Sequence, residues 1–154
     1  MLQIIQTSVE SPDLSRAEVA LRVARQTAVK RLWRGTADDG AEFGFELAAP
    51  LRHGDTFWQT GTVRYVLRQE PEPLVEISLE IAPSAAAGIG WAVGNLHLEL
   101  AAEPARLLAP DEPAVRQLLE RLQVPFKPVT AIFRPGRFAR GNLPVQELGA
   151  SHQH

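Results

Sequence analysis

Four residues, Glu70-Pro71-Glu72-Pro73, separate two stretches of chain whose apolar residues repeat with different periods. Two prolines lock φ and remove backbone donors, and two acids favour solvent, so these residues read as a short, stiff linker. Before them the period is two, the repeat of a half-buried strand. Val19, Leu21 and Val23 alternate with Ala20, Arg22 and Ala24, and Phe43, Phe45 and Leu47 alternate with Glu42, Gly44 and Glu46. Asp38-Asp39-Gly40 is a hairpin turn signal between Leu32–Thr36 and the Phe43 strand, because Gly tolerates positive φ. His53-Gly54-Asp55 marks another turn, and Thr60-Gly61 leads into a strand where Val63, Tyr65 and Leu67 oppose Arg64 and Arg68. Only Asp13 to Ala20 offers an alternative helical pattern here.

After the linker, strands and helices mix. Val75, Ile77, Leu79 and Ile81 alternate in a strand; Pro83-Ser84 starts a helix that Gly94-Asn95 stops. Leu96, Leu98 and Leu100 predict a second strand, and Arg106 to Ala109 a short third. Asp111 is the expected N-cap of an amphipathic helix, with Pro113 in its first turn and Val115, Leu118, Leu119 and Leu122 on one face. Pro125 to Phe133 supplies the last strand, and Gly136 to His154 reads as an irregular tail. The fold class expected is α+β: an all-β domain over 1–72, a ferredoxin-like βαββαβ domain over 73–134, and a flexible His-containing tail over 135–154.

Composition narrows the function. The 154 residues suffice for two small domains, and a formal charge of −2 supplies no basic field for nucleic acid. The absence of Cys excludes disulfides, thiolate metal ligands and a thiol nucleophile. No basic-then-apolar leader opens the chain, and no apolar run nears the ~18 to 20 residues of a membrane span, so a cytoplasmic protein is expected. Phosphate-binding glycine loops, a dinucleotide fingerprint and a recognisable Ser–His–acid arrangement are missing from the sequence, so no enzyme is expected.

Histidines remain. His53 in Arg52-His53-Gly54-Asp55 reads as a solvated turn residue. His97 alternates with the leucines of the expected second strand, which places it on the face the helices leave uncovered. His152 and His154 end the chain, close enough together to share a metal. Three imidazoles without a thiol suit Ni, Zn or Cu. The basic residues Arg22, Arg25, Lys30, Arg31 and Arg34, and Arg134, Arg137 and Arg140, read as solvated faces, and acidic protein surface suits them better than nucleic acid.

Two stretches carry a resemblance. Lys30 to Leu47, followed by Leu51-Arg52-His53-Gly54-Asp55, is similar to the N-terminal domain of the urease accessory protein UreE family. Trp91-Ala92-Val93-Gly94-Asn95-Leu96-His97 resembles that family's Gly-Asn-Xaa-His element, and His152-Gln153-His154 resembles its shorter tails. Leu96 stands where many members have Arg. The resemblance implies a nickel metallochaperone, a homodimer holding Ni(II) at paired His97 residues, with His152 and His154 as added ligands. Zn or Cu would bind in vitro. Its implied partners are a urease maturation GTPase and the urease apoprotein complex, and its β domain is of a peptide-binding kind. The competing readings are a protein-interaction module with an incidental metal site and, last, an RNA-binding module. The latter needs stacking aromatics on a central strand, and Arg106-Leu107-Leu108-Ala109 has none.

Overall fold

The structure, a computed structural model, describes residues 1–139 and 145–147. Its chain divides into two compact units, Met1–Glu70 and Pro71–His154. The class is α+β.

In the first unit, β1 (Gln3–Ile5), β2 (Ala17–Val23), the single-turn α1 (Arg25–Ala28), β3 (Leu32–Thr36), β4 (Glu42–Glu46), β5 (Thr56–Gln59) and β6 (Val63–Gln69) follow in order. They form two three-stranded sheets, β1-β4-β3 and β2-β6-β5. The period-two pattern explains both. Phe43 and Phe45 of the first sheet and Leu21, Tyr65 and Leu67 of the second are buried in one core. Phe57 joins them, its ring edge-on to Phe43 at 5.0 Å, while Trp33 stacks on Phe45 at 4.0 Å. Gly40, at φ 89°, makes the β3–β4 turn, as its sequence context requires. The helical alternative for Asp13 to Ala20 fails, because residues from Ala17 pair with β6 in parallel.

The second unit runs β7 (Glu72–Ser78), α2 (Pro83–Asn95), β8 (Ala101–Ala102), β9 (Arg106–Pro110), α3 (Pro113–Arg121), β10 (Lys127–Ala131), β11 (Arg137–Ala139) and β12 (Val145–Glu147). The order of its four-stranded sheet is β10-β7-β9-β8, every neighbour antiparallel. Val75 and Ile77 of β7 and Leu107 and Ala109 of β9 bury one face against Ile89 and Val93 of α2 and Val115, Leu118 and Leu119 of α3. Leu74 and Leu108 belong to a separate buried cluster with Ala101, the β8 partner of Leu108, and Phe133.

Four sequence expectations are corrected in this unit. Glu72 and Pro73 belong to β7 rather than to a linker, pairing with Ala131 and Thr130; a proline is tolerated at a strand's start. Glu112, not Asp111, is the N-cap of α3, without a side-chain cap, because both Asp111 carboxylate oxygens are taken by Arg116 at 2.6 and 2.9 Å. The tail is not wholly irregular: β11 and β12 pair antiparallel, with Arg137 opposite Glu147. The expected strand over Leu96–Leu100 does not form; β8 begins only after it and covers Ala101–Ala102, with consequences for His97 described below.

Carboxylates anchor this unit. The Arg106 and Lys127 hydrogen bonds hold the Glu76 carboxyl below its usual range, and Arg116 does the same for Asp111. A depressed carboxylate contributes stability above its unfolded pKa of about 4, lost as pH falls through the lower folded value. Urea unfolding of the protein is therefore expected to show stability falling below about pH 4.5, more shallowly in Glu76→Gln. An equally steep acid limb in that variant would remove Glu76 from the account.

Candidate metal centre

α2 carries no charged residue along its 13 positions, and five of them are Ala or Gly between 85 and 90. It buries only Ile89 and Val93 fully, with Ala86 and Gly90 half-buried on the same side. These positions follow the i, i+3, i+4, i+7 spacing of one helical stripe. On the opposite side Ala87, Gly88, Gly94 and Trp91 face solvent, the indole 72% exposed, with Leu96 following at 45%. A Cβ placed on Gly88 or Gly94 would meet nothing within 4 Å. Each interior glycine costs a helix about 1 kcal/mol relative to alanine, and among the described residues no packing repays it at Gly88. A helix apolar all round is ordinarily covered on both sides.

His97 stands at the end of this helix, and not on a strand. After Leu96 closes the last turn, the His97 N–H donates to Gly94 O at 2.9 Å and the Leu98 N–H to Val93 O at 3.1 Å. This is a Schellman closure, with His97 at the position glycine usually takes. Its φ is 56°, the left-handed region that costs a residue bearing Cβ about 1 to 2 kcal/mol. Leu98 and Val93 share the core beneath, the apolar contact that accompanies this motif. The expectation that His97 projects from the uncovered sheet face is thus corrected. The alternation Leu96-Leu98-Leu100 arises from a helix cap followed by an irregular approach to β8.

The corrected position is electrostatically better for a cation. The aligned peptide dipoles of a helix leave partial negative charge at its C-terminus, and the exposed His97 is the first residue past the α2 cap. Among the described residues no group of three or more His, Cys, Asp or Glu could hold a metal ion. One imidazole in one chain does not fill the coordination sphere of a divalent transition metal, so any metal at His97 would need ligands from elsewhere. His152 and His154 lie outside the described residues.

His53 is more than a solvated turn residue. It is half-buried, and its Nδ1 accepts the Gln69 N–H at 2.9 Å, tying the Arg52–Asp55 turn to the end of β6. That nitrogen is occupied by the fold. Of the basic residues, Arg22 pairs with the exposed Asp38 at 3.1 Å. What sequence reading missed at the site is the left-handed cap and the bare face of α2. The run of small, uncharged residues from Ala85 to Gly90 was the available signal. No helix among the described residues is long and apolar enough to cross a membrane.

Comparison with known proteins bears on the same segment. A family model described as the UreE urease accessory protein, C-terminal domain, matches residues 72–154. The chain is 32% identical over 130 residues to a urease accessory protein UreE of Deinococcus radiodurans, spanning 83% of this chain and 82% of that one. It is 31% identical over 107 residues to the protein of that name from Geobacillus kaustophilus, covering 68% and 72%. To the one from Azorhizobium caulinodans it is 30% identical over 121 residues, 77% of this chain and 58% of the relative.

Proposed function

Because the chain belongs to the urease accessory protein UreE family, we propose that it carries Ni(II) to the urease assembly machinery in the cytoplasm. A member of that family is an accessory protein and not an enzyme. In this reading nickel is cargo. The second unit is a ferredoxin-like domain that dimerises and holds the metal over 73–134, the first, over 1–72, faces partners, and 135–154 is the tail. The partners are the urease maturation GTPase and the urease apoprotein complex.

The observation that carries the reading is the coincidence, at one helix end, of an exposed His97 and an uncovered apolar face. A second copy laid on Ala87, Gly88 and Trp91 would bury that face and bring two His97 imidazoles toward one two-fold axis. Two helix C-termini would then favour the cation, and tail imidazoles from His152 and His154 complete its ligands. Ligands split between subunits and a tail can be surrendered stepwise, which suits delivery better than a closed cage.

Equilibrium titration with Ni(II), with particle mass measured in parallel, tests this. A dimer binding nickel through His97 is expected; a monomer, or nickel binding indifferent to His97→Ala, overturns it. Deleting His152, Gln153 and His154 is expected to weaken nickel binding while the metal-free melting temperature stays put. Loop closure costs only about 0.6 kcal/mol per doubling of length, so a long reach does not forbid tail ligation. Equal affinity and stoichiometry in the truncated protein would strike both residues from the ligand set.

A further inference from the structure

The first unit holds a histidine that nickel carriage leaves unused. Arg52–Asp55 is a tight turn: the Asp55 N–H donates to Arg52 O at 3.0 Å, and Gly54 takes the positive φ, 91°, at the third position. The turn leads into β5 and already pairs with β6. Leu67 N–H donates to Asp55 O at 2.9 Å, and Gly54 N–H to Leu67 O at 2.8 Å. An antiparallel strand bonds one neighbour at every second residue, so Gln69 is the next on β6 to turn its N–H that way. The backbone has by then turned at Arg52, and the His53 ring takes the place of a carbonyl. Its Nδ1 accepts the Gln69 N–H at 2.9 Å.

A ladder acceptor made of imidazole differs from a carbonyl in one respect, because it titrates. A ring nitrogen that accepts a hydrogen bond carries no proton, and the single N–H of the neutral ring is then on Nε2. Protonation puts an N–H on Nδ1 and sets two donors against each other. Gln69 is only 9% exposed, so its N–H would lose an acceptor where water does not readily replace it. Charged groups on the joined elements are Arg52 and Asp55 in the turn, Arg68 and Glu70 on either side of Gln69, and Arg22 and Arg25 near the end of β2. Asp55 Oδ2 accepts the Arg52 N–H at 2.8 Å, and the Arg68 guanidinium bonds Glu18 at 3.0 Å. On its other side the strand end is tied by Glu70 N–H to Val23 O at 2.8 Å. Glu70 closes the first unit.

We infer that His53 is a proton-operated latch on the end of β6, its Nδ1 releasing the Gln69 N–H in mild acid and so loosening the strand end that closes the first unit. The released ring is solvated and takes up a proton near the ordinary histidine value of about 6.5. The latched ring cannot take one at Nδ1 without breaking the bond. Release therefore binds protons: the latch is fully closed above about pH 6.5 and opens progressively below it. Glu76 and Asp111 titrate below the usual carboxylate range, so the latch works in a separate and milder window.

Hydrogen exchange of the full-length protein, followed amide by amide by NMR, tests it. From about pH 7.5 to 5.5 the Gln69 amide is expected to lose about ten-fold in protection, corrected for intrinsic exchange, while Leu67 keeps its own. His53→Asn and His53→Ala are both expected to abolish this pH dependence, the first by offering an acceptor that does not titrate, the second by offering none. Gln69 in His53→Ala is expected to be weakly protected at every pH, and a protected Leu67 reports that the variant is folded. If it is not, His53→Asn alone decides. A flat wild-type profile, a dependence that survives substitution, or full Gln69 protection in His53→Ala overturns the inference. So does a Leu67 amide that loses protection in step with Gln69, which would make the event an opening of the whole unit.

Discussion

His97→Gly is expected to abolish the tight nickel site while making the metal-free second unit more stable. The two effects run in opposite directions because His97 holds a backbone conformation that its own side chain disfavours. At φ 56° on the helix end, glycine relieves about 1 kcal/mol of strain, and the closing bonds from His97 and Leu98 need no side chain. The imidazole is exposed, so removing it sacrifices little packing. Loss of a ligand should cost more than the about 10- to 100-fold that changes around a metal's ligands ordinarily cost. His97→Ala separates the terms: it loses the metal equally but keeps the strain. Urea unfolding without metal and nickel titration of the three proteins check this. A glycine variant less stable than wild type would mean that His97 supports the fold; one that still binds tightly would mean that it holds no nickel.

Gly88→Arg is expected to leave each subunit folded and to prevent the second copy from seating on α2. No described residue crowds Gly88, and arginine is a better helix former than glycine by roughly 0.8 kcal/mol, so no folding penalty is expected. Across a close helix contact, by contrast, a long charged side chain separates the backbones and buries a charge beside Trp91. Particle mass should fall to that of a monomer, and nickel affinity should drop with it, since one subunit presents one His97. Trp91→Ala is expected to shift the same equilibrium less far, through lost aromatic burial, as interface hot spots of this kind do. A Gly88→Arg protein that remains dimeric would move the interface off this face. A monomer with undiminished nickel affinity would detach the metal from dimerisation.

Much of this architecture is local in origin, and such parts are legible in the chain. Alternation at Val19-Leu21-Val23 and Phe43-Phe45 sends large side chains to one side at strand spacing, and both segments are buried strands. Val115, Leu118 and Leu119 fall on one stripe of α3 because 3.6 residues per turn place them there. Asp39 and Gly40 turn the chain because glycine alone enters φ 89° without strain.

What tertiary structure decided is the pairing of distant segments and the surroundings of that histidine. No local pattern announces that β1 joins β4 or β2 joins β6 in parallel, since such partners are chosen by which faces share the aromatic core. Leu96-Leu98-Leu100 has strand periodicity, yet Leu98 faces inward because its N–H closes α2 onto Val93 and its side chain meets that same residue's core. Two-residue alternation over so short a span fits a strand and a helix cap equally. The choice falls to whichever partner satisfies the backbone, here the carbonyls of α2 and not a neighbouring strand. That choice sets His97 beyond a helix C-terminus, where the backbone dipoles favour a cation, beside an apolar face that none of the described residues of its unit covers.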